Sequence, residues 1–77
     1  MSAESKAIEA RAFEYVLKNE EKILADYKNK YGNEINTDNF RPYFKDVGYK
    51  GSNAAAVQKP SSYLSDRAYT EALKNEK

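Results

Sequence analysis

The stretch AESKAIEARAFEYVLKNEEKILADYKNKYG, residues 3–32, decides the fold class because its apolar residues recur at steps of three and four. That spacing places them on one face of an α-helix, while glutamates, lysines and an arginine fill the other faces. The stretch therefore predicts amphipathic helix. Its apolar stripe consists of Ile8, Ala12, Tyr15, Val16, Ile23, Leu24, Tyr27 and Tyr31.

Asn19 interrupts this stretch near its middle. Asparagine is a favourable N-cap residue, and Glu20 and Glu21 follow it where the helix dipole favours acids. On this basis the sequence predicts one helix over residues 3–17 and a second one after Asn19. A single continuous helix over residues 3–31 stays open as the alternative, because the phase of the apolar stripe is roughly kept across Asn19.

A third, shorter helix is predicted after the stop signal at Gly32. Thr37, Asp38 and the asparagine that follows them have the composition of a helix start. Pro42 should limit this helix to roughly a turn or two, since proline is tolerated only near the N-terminal end. The apolar face of this helix consists of Phe40, Tyr43 and Phe44.

The stretch GYKGSN, residues 48–53, is predicted to be a loop. Its two glycines, Gly48 and Gly51, can take left-handed conformations, and Ser52 or Asn53 can cap the segment that follows. The stretch NAAAVQ then predicts a brief helical turn.

Pro60 fits the first turn of a last helix that runs to about Leu73. No segment has the pattern of a β-strand. The 77 residues are therefore predicted to form a single all-α domain, or a fragment of one: a small bundle of about four helices, two short helical turns and a Gly/Pro-containing central loop. The face of the last helix consists of Tyr63, Leu64, Ala68, Ala72 and Leu73.

The composition excludes several classes of function. The chain has no cysteine and no histidine, so neither a disulfide framework, nor a Cys/His metal site, nor a Ser-His or Cys-His nucleophile is expected. The net charge of +1 comes from interspersed charges of both signs, which argues against a nucleic-acid partner. The longest uncharged run, residues 51–58, is too short for a membrane span. We expect a cytoplasmic protein without a cofactor or a metal.

Two segments, INTDNFRPYF and NAAAVQKPSSYLSDRAYTEAL, carry a family resemblance. They resemble a region of zeta-toxin-like proteins, bacterial P-loop kinases whose members phosphorylate nucleotide-activated amino sugars; the similar region covers roughly residues 27–73. Asp38 and Arg41 are similar to the Asp-x-x-Arg element of that family. The resemblance implies that such an aspartate acts as a base toward the sugar hydroxyl and that the arginine helps to hold substrate. A related block upstream of the phosphate loop resembles this chain more closely.

The chain departs from these kinases because it lacks the Gly-x-x-x-x-Gly-Lys-Ser/Thr loop that binds the phosphates of ATP. We therefore expect no enzymatic activity and no catalytic residue, and a catalytic fragment is the least favoured hypothesis. The favoured one is a non-catalytic accessory or regulatory domain that contacts a zeta-toxin-like kinase in the same or another polypeptide. The alternative is a stand-alone small inhibitor, encoded by a phage or mobile element, whose RPYFKDVGYKG loop binds a target protein.

Asp38, Arg41, Tyr43, Tyr49 and Asn53 are the predicted binding residues. They lie in a connection that is long for a small helical domain, and Arg and Tyr are enriched at protein-binding hot spots. A protein partner is therefore expected, and a homo-oligomer stays open. Structural roles compete with this interpretation: an acid in a first helical turn, an arginine paired with a carboxylate, and tyrosines packed at the edge of a thin core.

Overall fold

The computed structural model describes residues 2–51 and 54–74, and every regular element in these ranges is a helix. Two α-helices, α1 (Ala3–Tyr31) and α2 (Gln58–Lys74), flank two 3₁₀ helices, η1 (Thr37–Val47) and η2 (Ala54–Val57). The prediction of an all-α chain is confirmed. The capping role predicted for Ser52 or Asn53 lies outside the described residues.

α1 spans Ala3–Tyr31 but is kinked at Asn19, whose φ of −124° and ψ of 15° are not helical. The Asn19 side chain donates a hydrogen bond of 2.9 Å from Nδ2 to the carbonyl oxygen of Tyr15. This bond offers a partner to a carbonyl beside the kink, where the regular ladder is disturbed. Both alternatives left open by the sequence are therefore partly correct. α1 spans residues 3–31, as in the single-helix alternative, and it bends at Asn19, where a boundary between two helices was predicted.

η1 begins at Thr37 as predicted, with Asn36 as its N-cap residue. Oδ1 of Asn36 accepts a hydrogen bond of 3.0 Å from the backbone N–H of Asp38. The predicted length of one or two turns is wrong, since η1 has 11 residues and continues beyond Pro42 to Val47. Its two phenylalanines are completely buried, so tertiary packing supplies the stabilisation that proline removes from the helix itself.

η1 ends in a Schellman motif, in which two backbone N–H groups beyond the helix satisfy its last carbonyls. The N–H of Gly48 donates to the carbonyl of Lys45, and the N–H of Tyr49 donates to that of Phe44. Gly48 has a φ of +113°, and a Cβ built on it would lie 3.3 Å from Cγ1 of Ile8. Glycine is therefore required here for two reasons, the left-handed conformation and the close approach of α1.

We expect Gly48→Ala to lower the free energy of unfolding by about 1 to 3 kcal/mol, because alanine is strained at this φ and its methyl group would press on Ile8. Gly51→Ala is the matched control, since Gly51 also has a positive φ, of 81°, but has no atom within 4 Å of its built Cβ. Urea unfolding of both variants measures the difference. Equal losses would mean that the contact with Ile8 contributes nothing.

The core lies where α1, η1 and α2 meet. Tyr27 of α1 stacks on Phe40 of η1 with ring centroids 4.0 Å apart and an interplanar angle of 11°. Tyr31 and Leu73, which the periodicity places on the apolar stripes, are instead exposed near the C-terminal ends of their helices. The buried apolar residues are Ile8, Ala12, Val16, Ile23, Tyr27, Phe40, Phe44, Ala56, Val57 and Leu64.

The connection between α1 and η1 is held by the hydroxyl group of the buried Tyr27. This hydroxyl donates to the carbonyl oxygen of Glu34 at 2.6 Å and accepts from the backbone N–H of Asn36 at 3.1 Å. It also accepts from Nδ2 of Asn39 at 3.4 Å. A single side chain of α1 thereby fixes the backbone that precedes η1.

Candidate functional site

Four of the five predicted binding residues lie in or next to η1, and the fifth, Asn53, lies outside the described residues. The stretch RPYFKDVGYKG, interpreted as an exposed loop, is a helix up to Val47. Both of its large aromatic residues in η1 contact the core, and Phe44 is completely buried. The stretch therefore has a structural role in the core, independent of any binding role.

Arg41 is tied to its own chain at the N-terminal end of α2. Its Nη2 lies 3.1 Å from Oδ1 of Asp38 and 3.1 Å from Oε1 of Gln58. The side chain of Arg41 is 27% exposed and that of Asp38 is 66% exposed. The ion pair joins successive turns of η1. Pairing of the arginine with a carboxylate is the structural role that competed with a binding role for Arg41 in the sequence.

Tyr43 takes part in a cluster with Asp26 and Lys30 of α1. Its hydroxyl donates a hydrogen bond of 2.5 Å to Oδ2 of Asp26, and Nζ of Lys30 lies 3.1 Å from the same oxygen. The hydrogen bond from Tyr43 and the contact with Lys30 lower the pKa of Asp26 below its usual 3.8. Burial and the neighbouring carboxylate raise the pKa of Tyr43 well above its usual 10.0. The cluster links η1 to α1.

The lowered pKa of Asp26 predicts an acid-sensitive contribution to stability. A carboxyl group whose pKa is lower in the folded than in the unfolded chain stabilises the fold above the unfolded value and loses this effect as the pH falls through the folded value. The loss from this group should therefore begin near pH 3.8 and continue below it. Tyr43→Phe should move the pKa of Asp26 back toward its usual value, as followed by NMR of the carboxyl carbon.

Tyr69→Phe is the control for this titration, because Tyr69 is an exposed tyrosine of α2. It should leave the pKa of Asp26 unchanged. If Tyr43→Phe also left that pKa unchanged, the hydrogen bond would not be the cause of the shift.

Tyr63 makes a second contact between a tyrosine and a carboxylate. Its hydroxyl donates to Oε1 of Glu20, which raises the pKa of Tyr63. Nε of Arg67 lies 3.8 Å from the same oxygen of Glu20. This cluster links α2 to α1 just beyond the kink, so hydroxyls of both Tyr43 and Tyr63 are used to attach helices to α1.

Tyr49 also packs inward, because its ring is half-buried against the core. The structure thus gives Arg41, Tyr43 and Tyr49 internal contacts, and it does not gather them around one ligand-sized cavity. A cleft between the C-terminal halves of α1 and α2, with Leu24, Ile35 and Ala68 in its lining, has a volume of about 50 Å³. An open hollow of about 820 Å³ lies on α1 around the kink, with residues 17–22 in its lining. Sites for small molecules usually measure about 300 to 1,000 Å³ and enclose most of the ligand, which an open hollow on a single helix does not do.

Sequence reasoning missed the large apolar side chains that face solvent. Leu17 of α1 is 68% exposed, while Tyr69 and Leu73 of α2 are 59% and 50% exposed. The exposure of Leu17 could have been predicted from the sequence, since Leu17 falls outside the apolar stripe that contains Ile8, Ala12 and Val16. For Leu73 the sequence has no such signal, because it lies within a helical pattern that looks continuous.

The described residues contain no group of three or more Asp, Glu, His or Cys side chains arranged to hold a metal ion. No helix in the described ranges is both long enough and apolar enough to cross a bilayer.

No protein-family model matches the sequence, and no curated protein or solved structure matches it. The similarity to zeta-toxin-like kinases noted for INTDNFRPYF and the stretch around Pro60 therefore stays a prediction. The structure independently shows an all-α fold in which the hydroxyls of Tyr27, Tyr43 and Tyr63 form hydrogen bonds within the chain, while several large apolar side chains are exposed.

Proposed function

We propose that the chain is a non-catalytic helical domain that acts by binding a protein in the cytoplasm. The observation that carries this proposal is the exposure of Leu17, Tyr69 and Leu73 in a chain whose core is thin. Large apolar side chains at a surface lose their contact with water when a partner covers them, which is the main favourable term in protein association.

The internal use of the polar residues supports the same proposal. Asp38, the residue similar to a catalytic base, is paired with Arg41, and Arg41 contacts the end of α2. Ser61 is completely buried, so it is poorly placed to act as a nucleophile on a substrate from solvent.

The partner that the family resemblance favours is a zeta-toxin-like kinase domain, in the same polypeptide or separate. A helical domain bound to such a kinase would restrain or support it without carrying a phosphate loop itself. This choice of partner rests on the resemblance of the INTDNFRPYF and PSSYLSDRAYTEAL stretches. The exposed apolar residues support binding to a protein, and the resemblance selects which protein.

The test is calorimetry of the purified chain with a purified, active zeta-toxin-like kinase domain from the same genome. We expect binding at micromolar or tighter affinity, about −8 kcal/mol or more favourable, and a change in the rate of sugar phosphorylation. Two double variants then locate the contact: Tyr69→Ala with Leu73→Ala, and Arg41→Ala with Tyr49→Ala. Absence of binding to the active kinase would refute the kinase as partner.

The two double variants give different results for different interfaces. Loss of binding in the Arg41 and Tyr49 variant, with its helicity and melting temperature intact, would support the predicted binding residues. Loss of thermal stability with unchanged affinity would assign those residues to internal packing, as their contacts indicate.

A further inference from the structure

Leu17, one of these exposed residues, belongs to an apolar surface on the N-terminal half of α1. We call it the outer α1 patch and define it by Ala10, Phe13 and Leu17. The three residues are spaced by three and four, so they lie along one face of the helix. Ala10 is exposed, Phe13 is half-buried, and Leu17 is the most exposed large apolar residue in the described part of the chain.

The outer α1 patch continues the seam along which α2 packs. Steps of three and four lead from Leu17 past the kink to Glu20, Leu24 and Tyr27. α2 covers that part of the seam: Tyr63 and Arg67 contact Glu20, and Ala68 lines a cleft with Leu24 and Tyr27. At Leu17 the seam is open to solvent. A helix that covered the patch would therefore continue a packing mode that the fold already uses.

The charges beside Phe13 and Leu17, the two large side chains of the outer α1 patch, are acidic, while Lys6 lies four positions before Ala10. On a helix surface the neighbours of a residue lie three and four positions away. At these positions around Phe13 and Leu17, every charged residue is a glutamate. Lys18, which adjoins Leu17 in sequence, is paired with one of them, Glu14, at 3.0 Å. The glutamates of this acidic rim are Glu9, Glu14, Glu20 and Glu21.

We propose that the outer α1 patch binds a basic amphipathic helix of a partner protein. The apolar face of that helix packs on Phe13 and Leu17. Its lysines or arginines pair with the acidic rim, above all with Glu9 and Glu21, because Glu14 and Glu20 already contact Lys18 and Arg67. The proposal rests on the proposed protein-binding function and adds the chemistry of the partner. A second copy of the chain is a poorer occupant, because a symmetric pairing would bring two acidic rims together.

The probe is a synthetic peptide of about 16 residues, on the order of four helical turns, with leucine on one face and lysine or arginine beside it. A matched peptide carries glutamate in place of every basic residue. Fluorescence anisotropy measures the affinity of each labelled peptide for the full chain. We expect the basic peptide to bind, its affinity to fall as salt screens the charges, and the acidic peptide to bind at least about tenfold more weakly.

Two variants of the chain connect this binding to the patch. Leu17→Ser and Glu21→Lys should each weaken the basic peptide about tenfold, and their melting temperatures should stay close to that of the unchanged chain because both side chains are exposed. Leu73→Ser, at an exposed apolar residue of α2, and Glu4→Lys, an exposed charge at the start of α1, are matched controls that should leave the affinity unchanged.

Several outcomes would overturn the proposal: equal affinity for the two peptides, unchanged binding by Leu17→Ser and Glu21→Lys, or a chain dimer in sedimentation that Leu17→Ser dissociates. The last result would make a second copy the occupant. Kinase binding that survives Leu17→Ser would exclude the patch as the kinase contact and leave the proposed function standing. Peptide binding without kinase binding would support the patch and refute the kinase as partner.

Discussion

Replacing Phe40 with alanine should remove a large part of the stability of the fold at room temperature. Phe40 is completely buried, and its ring stacks on that of Tyr27 in α1. Removing a buried phenylalanine side chain costs about 3 to 5 kcal/mol. A chain of 77 residues has a total stability of roughly 4 to 12 kcal/mol at 0.05 to 0.15 kcal/mol per residue, and small domains lie toward the lower end.

Far-UV circular dichroism with urea titration measures this effect directly. Leu17→Ala is the matched control, because Leu17 is also a large apolar residue but is mostly exposed, and it should change the free energy of unfolding by less than about 0.5 kcal/mol. A Phe40→Ala chain with an unchanged midpoint would mean that η1 does not pack on α1 as described. Comparable losses in both variants would mean that burial does not distinguish the two residues.

The helical class of the fold, and much of its core, could be predicted from local sequence. The four-residue spacing of Ile8, Ala12 and Val16 predicted the buried face of α1, and Phe40 with Phe44 predicted that of η1. These features depend on helical periodicity within a few turns. The sequence also indicated the position of the kink, because it left open whether one helix or two helices surround Asn19. Asparagine favours helix boundaries but does not require them.

The length of η1 could not be predicted from local sequence. A proline ends most helices within a turn. Nothing in the residues next to Pro42 indicates that η1 continues to Val47. Phe44 is completely buried, and η1 packs on both α1 and α2, which come from opposite ends of the chain. Tertiary packing therefore outweighs the local effect of proline here.

The roles of the tyrosines show the same limit. The sequence indicated that their hydroxyls would lie at the edge of the core, but it could not name their partners. Tyr43 bonds to a carboxylate 17 residues away, and Tyr63 to one 43 residues away. Each partner is an acid of α1 that looks like an ordinary surface charge. The polar groups of Tyr43 and Tyr63 are therefore engaged within the chain, whereas Leu17, Tyr69 and Leu73 are exposed.

Tyr27→Phe should cost about 1 to 3 kcal/mol although it removes a single oxygen atom. That oxygen donates one hydrogen bond and accepts two, which is the full capacity of a hydroxyl group. Phenylalanine would leave the carbonyl of Glu34, the N–H of Asn36 and the amide of Asn39 without this partner, and buried or partly buried groups that lose a partner bear the desolvation cost.

The effect should be concentrated at the start of η1. Asn36 caps η1 through its side chain, so loosening its backbone also weakens the cap on Asp38. Amide hydrogen exchange at Asn36 and Asp38 should therefore accelerate more than exchange in the middle of α2. Tyr31→Phe, at a more exposed tyrosine one turn away, is the control and should change stability by less than about 0.5 kcal/mol.

Unchanged exchange at Asn36 in the Tyr27→Phe chain would contradict this role for the hydroxyl, since the ring itself is kept and its stacking on Phe40 is preserved. Uniformly faster exchange throughout the chain would instead indicate a global loss of stability that begins in the core. Faster exchange confined to residues 34–39 would establish that one hydroxyl group of α1 orders the connection to η1, because those are the residues whose backbone and side-chain groups it contacts.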